Sequence, residues 1–306
     1  MFCDRQKISI IGCGKVGMTA AYAITIQGLV SELVLVGRDE DKVIGEELDL
    51  EHGSLFFQPI RVNATSDYAQ IGGSDMIIIT AGAAQRPGET RLNLAHKNIA
   101  IISEIIPQVI KYAPQAIIMI VANPVDVLTY KAYQLANLPK GQIFGTGTAL
   151  DTARFRFHLS EFMHVSPKSI HAYILGEHGD TSFAALTSAV IGGQPLTTFP
   201  NYSKERMLKA YEETRTAADK IIKAKGATYY AIGMVVASMV KAVLRDSKTV
   251  TPASIPLHQY HGHSGVALSV PCVIGRSGVE DSFEVKLSWE EKQQLDHSVT
   301  ILKKYL

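Results

Sequence analysis

The chain of 306 residues is poor in cysteine, holds a single tryptophan and carries almost no net charge. Its three cysteines, Cys3, Cys13 and Cys272, are odd in number and widely spaced. That excludes a disulfide scaffold, gives no metal-ligand spacing and suits a reducing compartment. Thirty basic residues stand against 29 acidic ones, a formal charge of +1, so nothing marks a partner built from phosphates. No apolar run approaches the roughly 20 residues needed to span a bilayer. The opening Met-Phe-Cys-Asp-Arg-Gln-Lys has no hydrophobic leader core. The expectation is a cytoplasmic, soluble chain with no nucleic-acid partner, no membrane partner and no metal.

What is present is an alternation. In the first half, β-rich runs at 7–11, 32–36, 76–80 and 116–121 are separated by helical patterns, beginning with 15–28. Strands alternating with helices build βαβ crossovers and a parallel sheet covered on both faces, the Rossmann-type doubly wound α/β arrangement. A short strand-like segment at 141–147 places the boundary between a dinucleotide-binding domain, 1–145, and a substrate domain, 146–306. The second half has an α+β pattern. Amphipathic helices are expected at 150–161, 204–223 and 226–244, and strands at 168–174, 182–190, 265–274 and 284–287. Ser288 followed by Glu291 has capping-box spacing, opening a last helix that buries Leu295, Val299 and Leu302.

Two local patterns carry chemistry. Gly12-Cys13-Gly14-Lys15-Val16-Gly17 lies between the first strand and the first helix. Glycines there serve a tight turn, close approach to a pyrophosphate and close helix–strand packing, while the helix N-terminus favours a diphosphate. The acid expected at the end of the second strand, where it would hold an adenosine ribose, is replaced by Gly37-Arg38. Glycine leaves room and arginine matches a phosphate, so tolerance of NADP stays open beside NAD. The alternative is that Asp39 takes the ribose and Arg38 is solvated surface. The second pattern is Gly176-Glu177-His178-Gly179-Asp180, a histidine in a tight loop after a strand-like run. Upstream, Asp151 and Arg154 share one helix face at i and i+3, either aimed into a common pocket or forming an ordinary intrahelical ion pair.

These motifs, with Ala81-Gly82-Ala83-Ala84-Gln85-Arg86-Pro87-Gly88-Glu89-Thr90-Arg91 and Val121-Ala122-Asn123-Pro124-Val125-Asp126, resemble the L-lactate/malate dehydrogenase family, with the nearest likeness to bacterial L-lactate dehydrogenases. The likeness runs from the glycine turn to the closing helix. It implies hydride transfer between NAD and a 2-hydroxy acid, with His178 exchanging the proton on the substrate oxygen. Asp151 would hold the other ring nitrogen, Arg154 the substrate carboxylate, and Arg91, on a closing loop, the carbonyl. Asn123 would stand beside nicotinamide and substrate, and Thr228 would form a pocket wall at the start of a helix. Gly12, Gly14, Val16, Gly17, Arg38, Ala81, Gly82, Asn98 and Asn123 would line the cofactor.

Gln85, six residues before Arg91, occupies the position where the family carries glutamine for a methyl group and arginine for a second carboxylate. This favours pyruvate/lactate over malate, although Arg86 would reverse the choice if the register slipped by one. Broader L-2-hydroxyacid specificity is a further alternative. The resemblance also implies a homotetramer, and Arg156 with His171 match positions that bind fructose 1,6-bisphosphate across a subunit interface; ordinary surface charge is the competing reading. A methyltransferase using S-adenosylmethionine would want an acid where Gly37 stands and has no use for His178, Asp151 and Arg154. A catalytically silent nucleotide-binding regulator would lack one of the three.

Overall fold

The computed structural model describes residues 6–84 and 91–306, with the side chain of Arg91 excluded. Six strands, β1 (Lys7–Ile11), β2 (Glu32–Val36), β3 (Arg61–Thr65), β4 (Met76–Ile79), β5 (Ile117–Ile120) and β6 (Ile143–Gly145), run parallel in the order β3-β2-β1-β4-β5-β6. The continuous apolar runs of β4 and β5 follow from burial on both faces, whereas β3 lies at the sheet edge and is polar and partly exposed. Ile8, Ile10, Met76 and Ile78 enter one core, and Ile11, Ile77 and Ile79 the other, as the two-residue period requires. Four helices connect these strands: α1 (Lys15–Ile26), α2 (Glu40–His52), α3 (Arg91–Tyr112) and α4 (Val125–Ala136).

The second half opens with α5 (Ala149–Met163). Five two-residue strands follow: β7 (Ile170–His171), β8 (Ile174–Leu175), β9 (Phe183–Ala184), β10 (Val190–Ile191) and β11 (Gln194–Pro195). Next come α6 (Lys204–Lys225), α7 (Tyr230–Leu244), the strands β12 (Thr249–Pro256), β13 (Ala267–Gly275) and β14 (Gly278–Ser282), and α8 (Trp289–Leu302). A core of its own gathers Phe155, Leu159, Ile170, Leu196 and Met207. The three long strands, however, join the first sheet. β12 pairs antiparallel with β6 at Ser254 and Gly145, giving a nine-stranded sheet among the described residues, β14-β13-β12-β6-β5-β4-β1-β2-β3.

Several element expectations change. The strand expected at 284–287 is irregular, and β14 takes its place. Phe283 still donates to the Pro271 carbonyl, but the ladder cannot continue through a proline that has no N–H. β12 escapes the sequence pattern because Pro252 and Pro256 disguise it; it tolerates them because its pairing with β6 is confined to Ser254. The expected 168–174 and 182–190 strands break into the short pieces β7 to β10. The expected helix at 226–244 begins only at Tyr230, since Gly226 ends α6 with φ of 85°. The Ser288–Glu291 capping box forms, and Leu295, Val299 and Leu302 are buried.

Candidate active site

The glycine turn separates three physical requirements. Gly12 has φ of 107°, and a Cβ there would lie 2.4 Å from the Ala81 backbone nitrogen. A Cβ on Gly17 would lie 2.1 Å from the Gly12 carbonyl oxygen, so α1 can approach β1 only without a side chain. Gly14 differs: its φ of −89° suits any residue, and a Cβ would meet no atom within 4 Å. Nothing among the described residues demands glycine at this position. The open face at the N-terminus of α1 fits a group that approaches the backbone from outside, as a pyrophosphate does. Cys13 is packing in this turn, since burial pushes its thiol up to about 12.

Gly37 is needed by the fold itself, because a Cβ there would lie 2.3 Å from Val43 Cγ2 on α2. Asp39 caps α2 by accepting from the Lys42 N–H at 3.3 Å, and Arg38 is exposed. Asn98 is buried and saturated. It accepts from the Ala83 N–H at 2.7 Å and donates to the carbonyls of Ala83 at 3.2 Å and Asn123 at 2.6 Å. It therefore fixes the segment after β4, containing Ala81 and Gly82, against the segment after β5. Val16 lies in the first turn of α1, half-buried.

His178 lies beyond the C-terminal end of β8, and the chain is held there from four directions. Thr152 on α5 accepts from the Ile174 N–H at 2.9 Å, tying that helix to β8. Gly176, at φ of 88°, exchanges backbone hydrogen bonds with Ser269 of β13. Ser298 of α8 donates to the Thr181 carbonyl at 2.6 Å. Asp126 of α4 accepts from the His178 N–H at 2.7 Å. Within this frame Asp151 Oδ2 lies 2.7 Å from His178 Nδ1, and Asp151 Oδ1 lies 3.1 Å from Arg154 Nη1. One carboxylate thus joins the histidine and the arginine, and the intrahelical pair is also a shared pocket.

Charge follows from this geometry. Burial disfavours the imidazolium of His178, but the charge and hydrogen bond of Asp151 outweigh it, with help from Asp126 and against Arg154, so its pKa is raised. Burial likewise opposes ionisation of Asp151, yet His178 and Arg154 hold its carboxyl below the usual range. Among the described residues Arg154 Nη2 is buried without a hydrogen-bond partner, although the guanidinium always carries charge. These groups and Asn123 line a cavity of about 260 Å³, just below the range of about 300–1,000 Å³ for small-molecule sites. Asn123 is exposed there and precedes a cis bond to Pro124.

Other expected residues are not gathered here. Gln85 and Arg86 lie outside the described residues, as does the Arg91 side chain, although the Arg91 backbone begins α3. Thr228 lies in the connection 226–229 before α7 and is not among the residues lining the cavity. Arg156 and His171 occupy neighbouring elements elsewhere. Arg156 Nε donates to the Ala172 carbonyl at 2.9 Å, and its guanidinium stands 5.2 Å from the Tyr173 ring centre, while His171 is exposed on β7. Sequence reasoning did not reach Tyr211, Thr214 and Arg215 of α6, which form the facing wall. Nothing in their local pattern separates a cavity-facing turn from an amphipathic surface. Nor did it reach Asp126 as a contact of His178, because 52 residues separate the two.

A phosphate-ready glycine turn and a histidine–carboxylate–guanidinium set beyond the strand ends define a class, the two-part α/β oxidoreductases. Comparison with known proteins narrows it. The profile of the lactate/malate dehydrogenase NAD binding domain matches residues 6–145, and that of the lactate/malate dehydrogenase alpha/beta C-terminal domain matches residues 148–306. The chain belongs to the lactate/malate dehydrogenase family. It is 43% identical to the L-lactate dehydrogenase of Thermoanaerobacterium saccharolyticum over 97% of each chain. It is 44% identical to L-lactate dehydrogenase 1 of Clostridium acetobutylicum, over 98% of this chain and 97% of that one. The crystal structure of MGS-M5, a lactate dehydrogenase enzyme from a Medee basin deep-sea metagenome library, superposes with a TM-score of 0.95 at 36% identity, covering 99% of this chain and 98% of that one. Among the described residues, no helix is long and apolar enough to cross a membrane, and no cluster of three metal-ligating side chains occurs.

Proposed function

We propose that the chain is an NAD-dependent L-lactate dehydrogenase that interconverts pyruvate and L-lactate in the cytoplasm. The observation that carries this reading is the Arg154 guanidinium beside the Asp151–His178 pair, with its Nη2 buried and unpaired among the described residues. A buried cation with a free N–H edge fits a small carboxylate, which it can hold bidentately. His178 Nδ1 is engaged by Asp151, which leaves Nε2 for the substrate oxygen. The nicotinamide supplies or accepts the hydride when bound. In the reducing direction His178 gives its Nε2 proton to the oxygen formed from the carbonyl, and in the oxidising direction it takes that proton from the hydroxyl. Asp151 stabilises the charged ring and fixes its tautomer. Arg91 is proposed to close over the carbonyl, Asn123 to orient it, Gln85 to face the methyl group and Thr228 to complete the wall on closure.

Gly12, Gly14, Val16, Gly17, Ala81, Gly82 and Asn98 are proposed to form the cofactor cradle, with Arg38 near the ribose. The open Gly14 face supports this. Exposed Tyr22, Ile26, Leu48, Leu55, Phe56 and Met234 on and after α1, α2 and α7 support burial against further copies, a homotetramer by family likeness. Arg156 and His171 are proposed to meet fructose 1,6-bisphosphate at such an interface; an unchanged half-saturating pyruvate concentration with the bisphosphate present would remove that assignment.

The direct test is NADH oxidation with pyruvate and oxaloacetate side by side, followed by absorbance. Preference for pyruvate is expected. Preference for oxaloacetate would make the chain a malate dehydrogenase with Arg86 at the substrate, and preference for bulkier 2-oxo acids would widen the assignment.

A further inference from the structure

The carboxyl group of Asp126 meets the backbone of the acid/base loop at His178. It belongs to the first turn of α4, which follows the Asn123–Pro124 segment, and it is 2% exposed. Oδ2 accepts the His178 backbone N–H at 2.7 Å, while Oδ1 has no partner at hydrogen-bond geometry among the described residues. The Ser254 hydroxyl of β12 is likewise buried and, among those residues, without a partner at that geometry, yet it lies close enough to the Asp126 carboxyl to favour its ionised form. A buried carboxyl with one oxygen left this poorly paired is a costly arrangement that packing does not require. An amide at this position could keep the N–H contact and also satisfy Ser254.

We propose that Asp126 is a positioning residue for the reaction: it clamps the His178 backbone and holds a second negative charge that favours the imidazolium. This rests on the reading of His178 as the acid/base. Burial pushes the Asp126 carboxyl up to about 6, against the pull of Ser254, the His178 N–H and the His178 ring, and with Glu177 raising it further. At that value the carboxyl is ionised for the most part at neutral pH and fully at alkaline pH. Among the described residues, the other charged groups around the ring are Asp151 and Arg154 on α5, Glu177 in the loop, and Asp180, Arg215 and Asp219 at the cavity wall. Glu177 is engaged by the Thr181 hydroxyl. Among them Asp126 is the carboxylate bonded to the main chain of His178, so position and charge arrive through one contact from the first half of the chain.

The test uses the full-length Asp126→Asn variant. Two pH midpoints are read, that of kcat/KM for pyruvate with NADH and that of the His178 ring by NMR in the free enzyme. Both midpoints are expected to fall by about one pH unit, so that reduction above the midpoint is about tenfold slower than for the wild type at the same pH. Ser254→Ala is expected to move both in the same direction by less, because an unassisted Asp126 carboxyl is ionised less completely. A loss of activity with both midpoints unmoved overturns the proposal and leaves Asp126 a packing residue. If Asp126→Asn does not fold, unmoved midpoints in Ser254→Ala overturn it equally. His178→Gln separates the two readings. Near-native turnover of that variant refutes His178 as the acid/base, whereas its inactivity beside unmoved midpoints in Asp126→Asn refutes this inference alone.

Discussion

The glycine turn after β1 and the histidine loop after β8 solve opposite problems. The turn is a continuous six-residue stretch, Gly12 to Gly17, whose constraints come from its own backbone and the strands beside it. The loop has a few contacts of its own, such as the Thr181 hydroxyl on Glu177, but His178 is held in place by side chains from α4, α5 and α8 and by the backbone of β13. A site that presents backbone amides can be written locally, because the backbone's geometry follows from a few φ/ψ choices. A site that must hold a proton at one nitrogen needs partners fixed in direction and charge, and these have to come from elsewhere in the chain.

The largest break in this comparison is expected from His178→Gln. Pyruvate reduction should fall by about 10³-fold, within the range for a lost general acid–base, while NADH affinity measured by fluorescence stays within a factor of two or so. Parallel loss of NADH binding would mean the two regions are not separable.

Asp151→Asn comes next, with a fall of about 10²-fold. Its sharper signature is in pH. Asp151 raises the His178 pKa, so reduction in the wild type is lost as pH rises through that raised value, and oxidation of lactate is lost as pH falls through it. Removing the charge moves both limbs to lower pH. Limbs that stay in place would assign the loss to geometry alone.

Within the turn, Gly14→Ala and Gly17→Ala should part company. The Gly17 variant drives a methyl into the Gly12 carbonyl and is expected to lose about 1–3 kcal/mol of stability by thermal unfolding. The Gly14 variant should unfold as the wild type does, yet raise the NADH concentration for half-maximal rate about tenfold, a loss of about 1.4 kcal/mol of binding. Unaltered NADH saturation in Gly14→Ala would move the cofactor off this face. The smallest effect is expected from Arg38→Ala. A few-fold loss of NADPH oxidation relative to NADH, about 0.5–1 kcal/mol, is the contribution of an exposed cation, and equal loss with both would make Arg38 plain surface.

Legibility in the sequence followed the same division. The parallel half was readable because β4 and β5 are unbroken apolar runs and β1 and β2 are mostly apolar, as burial on both faces favours. His178, Asp151 and Arg154 stood out as residue types in short motifs, and the structure brings the three side chains together. β12 was not readable, since a strand carrying Pro252 and Pro256 has the composition of a loop, and only its one-residue contact with β6 permits them. The segment 284–287 alternates as a strand should, but pairing is decided across the ladder, where Pro271 has no hydrogen to give.

The sequence by itself determined the dinucleotide-type turn, the parallel α/β half, the capping of α8 and the residue types available for proton and carboxylate handling, because each depends on neighbours within a few positions. Only the tertiary structure decided that one sheet runs through both halves of the chain. Only it showed that Asp151 bridges His178 and Arg154, that α6 walls the cavity, and that Asp126 grips the histidine from 52 residues away. Those relations are fixed by burial and by hydrogen bonds between segments distant in the chain, and no local pattern encodes a distance across the fold.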